Sequence, residues 1–549
     1  MAHVITQPCC NDAGCVSVCP VDCIRPRPGE PDFGRAELLH IDPATCIDCG
    51  ACIDECPVDA IVSEGDLTPA TEPYREVNAA YFATVGVPAP PPAERPAVEV
   101  AERGPLRVAI VGSGPSACYA AEDLLSRREI DVEITVFDRL PVPLGLVRYG
   151  VAPDHQHTKQ VADAFGRTLS RPNLALELNV EVGTHISAAE LLQHHHAVIY
   201  ATGASQGRAL SIPGEDLAGV HSATDFVGWY NGHPDHAHRA FDLSGERAVV
   251  IGNGNVALDV ARILVTDVAA LARTDIAGHA LEALAASRIR EVVVVGRRGP
   301  GHAAFTTPEL LGLGAVDGLD VRCDELGPPG TPPGDDPVAG LKARVARQLS
   351  ERAAGVGNRS MVFRYFLSPS GFRGAGAVDA VEFTRTEWSA AGQLRATVMR
   401  ETVSCGIVLT SVGYRGIAVP GVPFSESEGT IPHRGGRVTE LDGTPVPGTY
   451  VAGWIKRGPS GVIGTNRYCS QETVYALVED FAAGRLSAPR RSRADLDTLL
   501  AGRQPSRLDT RGWKSIDAAE RRAGRAERRP RVKFVGIAEL LAAGGSGAR

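Results

Sequence analysis

The sequence predicts an α/β protein made of two doubly wound parallel-sheet units with a small α+β module in front of them. Three observations carry this reading. Short apolar runs such as LRVAIVG, ITVF, AVIYATG, EVVVVGRR, IVLTSVG and TYVAGW recur between residues 106 and 454, each ending in glycine or a polar residue, as strands buried on both faces do. Two of these runs pass through glycine-rich turns into the helix-like segments ACYAAEDLL and VALDVARILV. Nine of the 13 cysteines fall between Cys9 and Cys56, ahead of a stretch rich in Pro, Ala and Glu.

A chain of 549 residues exceeds a single core and implies several domains. Its 44% hydrophobic and 22% charged residues are ordinary globular values. No apolar run reaches the ~18 residues a membrane helix needs, and MAHVITQPCC lacks the basic start and apolar core of a signal peptide, so a cytoplasmic protein without membrane insertion is expected. A formal charge of -9 gives no electrostatic case for nucleic-acid binding. Residues 1–63 are strongly acidic, with three Arg and no Lys against seven Asp and three Glu. The divisions expected are a cysteine-rich module over 1–63, a linker over 64–106, a discontinuous unit over 107–205 and 413–549 that includes a C-terminal extension, and a second unit over 206–412. The Arg-rich stretch 486–533 reads as a solvated helical extension, and His194, His195 and His196 read as a solvated helix end.

The cysteines form an internal repeat. Cys46, Cys49, Cys52 and Cys56, followed by Pro57, have the spacing of a bacterial iron-sulfur loop, whose fourth thiolate ligates the other cluster of a pair. Cys9, Asp12, Cys15 and Cys19, followed by Pro20, repeat that spacing with Asp12 where the second cysteine would stand. Exchanging the fourth cysteines gives a complete [4Fe-4S] set of Cys46, Cys49, Cys52 and Cys19. It leaves Cys9, Cys15 and Cys56, which suit a [3Fe-4S] cluster, or a second [4Fe-4S] cluster if Asp12 supplies an oxygen. Zinc knuckles do not need seven thiolates with two trailing Cys-Pro pairs. This segment resembles bacterial seven-iron ferredoxins, a resemblance that makes Cys23 a spare thiol. That family spaces its first two ligands more widely, and Cys10 is the alternative to Cys9. Cys118, Cys323, Cys405 and Cys469 are scattered and read as packed thiols.

Gly112 and Gly114 lie in a strand-turn-helix G-x-G-x-x-A pattern that lets backbone approach a pyrophosphate, and ITVFD ends in Asp138, placed to accept from an unsubstituted ribose as in FAD or NAD. Gly252 and Gly254 repeat the turn, but the strand that follows ends in Arg297 and Arg298, whose guanidinium forks match the 2'-phosphate of NADP. The units are thus Rossmann-like, one for FAD and one for NADPH. With PVPLGLVRYGVAPDH (141–155), GNGNVALD (252–259), AAFTTPEL (303–310) and GWIKRGPSGVIGTN (453–466), residues 106–480 resemble a ferredoxin-NADP reductase of the adrenodoxin reductase type. The resemblance implies FAD contacts from Ser116, Asp138, Leu146, Val182 and Trp454 and from the backbone of Gly461, Val462 and Ile463. It also implies NADP contacts from Asn253, Gly254, Asn255, Val256, Arg297, Arg298 and Glu309. His155 and Lys159 are expected near the flavin in a secondary role, since hydride transfer requires no general base.

These features lead to an enzyme that takes hydride from NADPH to FAD and passes single electrons to clusters in its own first module. From there they go to an external acceptor such as a monooxygenase or another ferredoxin, and the linker serves as a tether that keeps the first module near the flavin. A flavin disulfide reductase would need a redox Cys-x-x-Cys, and residues 107–480 contain none.

Overall fold

The computed structural model describes residues 2–83, 104–324, 337–389 and 392–545. Its body is two sheets of the expected α/β kind. The first has the strand order His433–Arg434, Arg437–Thr439, Pro445–Val451, Ala197–Tyr200, Leu106–Val111, Val132–Asp138 and Leu174–Leu178. The last five are parallel, with Tyr450 opposite Ile199 and Ile110 opposite Val136. Strands from both ends of the chain therefore share one sheet. The second sheet is parallel throughout, in the order Val220–Ser222, Ile407–Thr410, Arg247–Ile251, Glu291–Val295, Arg359–Arg364 and Leu319–Asp324. Val249, Val293 and Val408 are buried in it, which is why its strands read as unbroken apolar runs. Gln206–Gly207 pairs antiparallel with Tyr414–Arg415, so the chain leaves the first unit and returns to it through adjacent strands.

A three-stranded antiparallel sheet, Leu367–Arg373, Ala380–Trp388 and Leu394–Ser404, extends the second unit and lies outside the parallel-strand pattern. Its last strand is mostly exposed and polar, so it carries no continuous apolar signal.

The N-terminal module pairs His3–Ile5 with Ile61–Ser63 and Ile24–Arg25 with His40–Ile41. The two cysteine runs repeat in conformation as well as spacing. Asn11 and Asp48, Ala13 and Gly50, and Asp22 and Asp59 occupy equivalent positions, and all six have left-handed φ between 50° and 77°. Asn, Asp and Gly tolerate that region most readily, and these turns wrap each loop before and after its short helix.

Three expectations about flanking segments do not hold. The linker expected over 64–106 begins later, because Pro73–Phe82 is a helix packed on the module: Asn78 accepts from Ile5 N and Ile41 N (3.2 and 2.9 Å), and Tyr74 Oη donates to Pro308 O (3.1 Å). The rest of that linker, 84–103, lies outside the described residues. The module is docked as well as tethered, since Glu37 accepts from Thr307 N (2.6 Å) and pairs with the buried Lys342 (2.8 Å).

The Arg-rich extension is not merely solvated. Buried Glu520 holds the buried Arg148 in a bidentate pair (2.8 and 2.6 Å) and also meets Arg531 (3.0 Å). Lys533, fully buried, reaches Asp275 (2.9 Å) and Asn231 (3.2 Å), and Arg529 donates to Thr274 O (3.0 Å). Charges removed from water persist only when paired in this way; the Glu520 pairs hold the extension to its own unit, and Lys533 and Arg529 strap that unit to the second. His194 and His195 are buried as well: His195 bridges Leu191 O (3.0 Å) and Thr135 Oγ1 (3.2 Å), and burial lowers its pKa to about 3. His196 Nδ1 accepts from Arg107 N (3.0 Å).

Candidate functional site

At Gly112, φ is 99° and a Cβ would fall 2.5 Å from Ala201 O, so the turn between the strand Leu106–Val111 and the helix Pro115–Ser126 admits only glycine. Gly114 caps that helix and lies against Gly145, and Leu144 N donates to Ser113 O (3.1 Å), which brings the 141–155 motif onto the loop. From the far end of the chain, Asn466 accepts from Ser116 Oγ (2.9 Å) and donates to Val462 O (3.2 Å) and Ile463 O (3.0 Å). Asp138 accepts from Ser113 Oγ and from Leu140 N (2.9 Å); burial raises its pKa against those bonds. Val182 is buried beside the strand of Asp138, while Leu146 is 38% exposed. Trp454, half-buried, donates to Ser460 O (3.1 Å), and Gly461, at φ 78°, is exposed beside it. Arg457 gives a direct test of fit to a nucleotide. Its Nε and Nη1 are buried without a protein partner, while Nη2 bonds Ser460 O (3.1 Å) and Asn466 (3.0 Å). Unpaired buried guanidinium donors next to a glycine loop suit the pyrophosphate of a dinucleotide.

The second loop has the same construction. Gly252 has φ 115° and a Cβ there would fall 2.1 Å from Ser411 O; Gly254 caps the helix Asn255–Val265. The 303–310 motif braces it, with Phe305 N donating to Asn253 O (2.7 Å) and Thr306 N to Asn255 Oδ1 (2.8 Å). Val256 begins the helix beside them. Arg297 and Arg298 follow the neighbouring strand, both exposed, and neither guanidinium pairs with a carboxylate among the described residues.

Between the loops lies a polar junction. His155 Nε2 is 3.7 Å from Glu309, and its Nδ1 is 3.9 Å from Asp259. Gln7 of the N-terminal module donates to Glu309 (3.2 Å) and lies 3.5 Å from His155. Burial raises the pKa of Glu309, with His155 opposing. Asp154 forms two bonds with the buried Arg262 (2.6 and 2.9 Å) and is held down to about 2 by that cation, against a burial effect of opposite sign. Lys159 Nζ meets Asp275 (2.7 and 2.8 Å) and Asn231 (3.3 Å), inside the buried network of Lys533.

The seven expected thiols fall into two sets. Cys19, Cys46, Cys49 and Cys52 line one small apolar pocket with Ile24 and Ile41. Cys23 is in the same pocket; its N–H donates to Cys19 Sγ (3.4 Å), and its sulfur lies 3.4 Å from that atom. Cys9, Cys15 and Cys56 lie together beside Asp12 and interact electrostatically. Burial pushes Cys9 up to about 12 and Cys52 to about 11 as thiols. Free sulfurs converging in apolar surroundings fit iron, which deprotonates its thiol ligands outright. Asp12 lies 3.7 Å from Arg467 and accepts from Gly14 N (3.4 Å).

Comparison with known proteins follows the same division. Residues 106–298 match the pyridine nucleotide-disulphide oxidoreductase family and residues 39–62 the 4Fe-4S binding domain. A probable ferredoxin/ferredoxin–NADP reductase of Mycobacterium tuberculosis is 49% identical over 99% of this chain and 95% of its own length. The chain belongs to that family of fused ferredoxin/ferredoxin–NADP reductases. The counterpart in Mycobacterium leprae is 48% identical over 99% of this chain and 98% of its own. The solved structure of Mycobacterium tuberculosis FprA in complex with NADPH superposes with a TM-score of 0.76 at 45% identity, covering 80% of this chain and 99% of that one.

The ferredoxin/ferredoxin–NADP reductase fold explains what the sequence pattern does not reveal. Gln7 and Asn466 act through contacts with segments far away in the chain, whereas Arg457 reaches Ser460 and Asn466 inside its own motif, and only that motif gives a signal. Among the described residues no helix is long and apolar enough to cross a membrane.

Proposed function

We propose that this chain oxidises NADPH and delivers the electrons singly, through its own ferredoxin module, to an external one-electron acceptor. The observation that supports it best is convergence. The 303–310 motif that braces the second glycine loop and the GVIGTN loop, whose last residue Asn466 bonds Ser116, both touch the cysteine module: Gln7 bonds Glu309 and Cys10 O accepts from Gly464 N (2.7 Å). FAD supplies conversion between two-electron and one-electron chemistry, and the clusters hold one electron each. Gly112, Gly114, Asp138, Asn466 and Arg457 would bind and orient the flavin nucleotide, with Ser116, Leu146, Val182, Trp454 and the backbone of 461–463 around it. Asn253, Gly254, Asn255 and Val256 would hold the NADPH pyrophosphate, Arg297 and Arg298 its 2'-phosphate, and Glu309 with His155 would line the nicotinamide side.

Cys19, Cys46, Cys49 and Cys52 would hold a [4Fe-4S] cluster, and Cys9, Cys15 and Cys56 a [3Fe-4S] cluster. Asp12 is engaged by Arg467 and Gly14, which supports the three-iron reading. Purified holoprotein should then contain about seven irons per chain, and Asp12→Cys should raise this to about eight. Eight irons in the wild type would overturn it. The acidic module suits a basic acceptor such as a monooxygenase or a second redox protein.

Anaerobic NADPH titration tests the function itself. The flavin absorbance should bleach and cluster EPR signals change in the wild type, while in Cys15→Ser plus Cys49→Ser only the flavin should respond. A flavin that bleaches in the wild type with both clusters unchanged would sink the reading.

A further inference from the structure

We infer that the two thiolate sets are an ordered relay: Cys9, Cys15 and Cys56 form the inner set, facing the flavin loop, and Cys19, Cys46, Cys49 and Cys52 form the outer set, where electrons leave. The inference rests on the proposed function and adds a direction to it.

The runs share spacing and turn conformation, but their surroundings differ. The first run is clamped onto the GVIGTN loop. Gly464 N donates to Cys10 O (2.7 Å), and Arg467, one turn into the helix Thr465–Ala482, donates to Asp12 O (3.2 Å). A Cβ on Gly464 would fall 2.2 Å from Asn11 C and Asp12 N, so glycine is required for this approach. Tyr468 meets Phe33 edge-on at 4.7 Å. Cys10, Val58 and Ala60 share a buried apolar cluster with Tyr119, Val136 and Leu477 of the first nucleotide-type unit, and Cys9, Cys56 and Ile463 pack against that same cluster. Cys9 and Cys56 of the inner set therefore pack on the same core as the flavin loop, while Cys15 sits behind them in a second core that also holds Cys52.

The second run is turned outward. Cys49 is exposed, Ile47 is 58% and Ile53 37% exposed, and Asp54 and Glu55 are exposed beside them. Within the second run, the backbone bonds run inside the module, from Cys46 N to Asp42 O (3.0 Å) and from Ile53 N to Gly50 O (2.9 Å). Cys52 and Cys15 lie on the facing short helices Ala51–Asp54 and Gly14–Val18, so the two sets are neighbours within the module.

Electron tunnelling falls steeply with edge-to-edge distance, so a set packed on the flavin loop accepts first and a set at the surface donates last. One NADPH yields NADP+, one proton and two electrons; the two cluster sites take one electron each and the proton goes to solvent. No further oxidant is needed until the acceptor arrives.

Rapid-freeze EPR of NADPH-mixed holoprotein tests the order. In the wild type the inner-cluster signal should change before the outer one. In Cys15→Ser, NADPH should still bleach the flavin but leave the outer cluster oxidised, while dithionite still reduces it, which shows that cluster to be intact. Cys49→Ser should abolish the outer signal and leave the inner one responsive to NADPH. Reduction of the outer cluster first in the wild type, or at the wild-type rate in Cys15→Ser, would overturn the relay. Failure of either cluster to respond to NADPH in the wild type would instead count against the proposed function.

Discussion

The two glycine loops are nearly the same object twice. Each places a left-handed glycine under a neighbouring carbonyl, Gly112 under Ala201 and Gly252 under Ser411, and each then caps a helix with a second glycine. They part at the end of the next strand. The first ends in Asp138, enclosed and bonded to Ser113 of its own loop; the second ends in Arg297 and Arg298, exposed and unpaired by any carboxylate among the described residues. The comparison teaches that backbone supplies the common task, approach to a pyrophosphate, while the side chain one strand away selects the nucleotide.

The largest effect comes from filling the shared backbone space. Gly112→Ala puts a methyl 2.5 Å from Ala201 O at a φ of 99°. Strain and overpacking each cost about 1–3 kcal/mol. The variant should be purified without flavin and should melt earlier. Gly252→Ala should keep its flavin and lose NADPH binding, measured by calorimetry. If both variants lose flavin, the loops do not serve separate nucleotides.

A smaller effect isolates the side chains. Arg297→Ala plus Arg298→Ala removes charge-assisted bonds worth about 1.5–3 kcal/mol each, so kcat/KM for NADPH should fall by at least about a hundredfold. The value for NADH should stay within about twofold, since an unsubstituted ribose gives the guanidinium pair nothing to grip. A parallel loss with both nucleotides would show that the arginines support the fold instead.

Local repeats make this comparison legible in the sequence itself. The G-x-G-x-x-A turns, the strand-end residues and the Cys spacing are short-range patterns dictated by backbone geometry and ligand number. Long-range pairing stays hidden. A run such as RRSRADLDTLL reads as solvated because charge is visible in sequence and its partners are not. Only the fold shows Glu177 between Arg493 and Arg507, or Glu520 under Arg148. The histidines 194–196 mislead for the same reason, since each has a hydrogen-bond partner on a distant segment, Ser492, Thr135 and Arg107. Gln7 and Asn466 carry ordinary amide side chains; Gln7 matters where the cysteine module meets the second unit, and Asn466 where the two distant halves of the first unit meet.

One pairing fixes the two loops relative to each other. Asp154 belongs to the 141–155 motif of the first unit, and Arg262 lies on the helix that the second loop opens. Arg262 keeps the folded pKa of Asp154 at about 2, against an ordinary 3.8. The folded pKa is depressed, so the stabilisation is fully present above the unfolded value and is lost as pH falls through the folded one. A shift of this size corresponds to about 2 kcal/mol. Asp154→Asn should therefore lower the urea midpoint at pH 7, and the gap to wild type should close between about pH 4 and pH 2. Because the pair joins two units, the variant should also weaken NADPH-driven flavin bleaching more than it weakens flavin retention. A gap that persists unchanged at low pH would mean that packing of Asp154, and not its charge, holds the two loops in register.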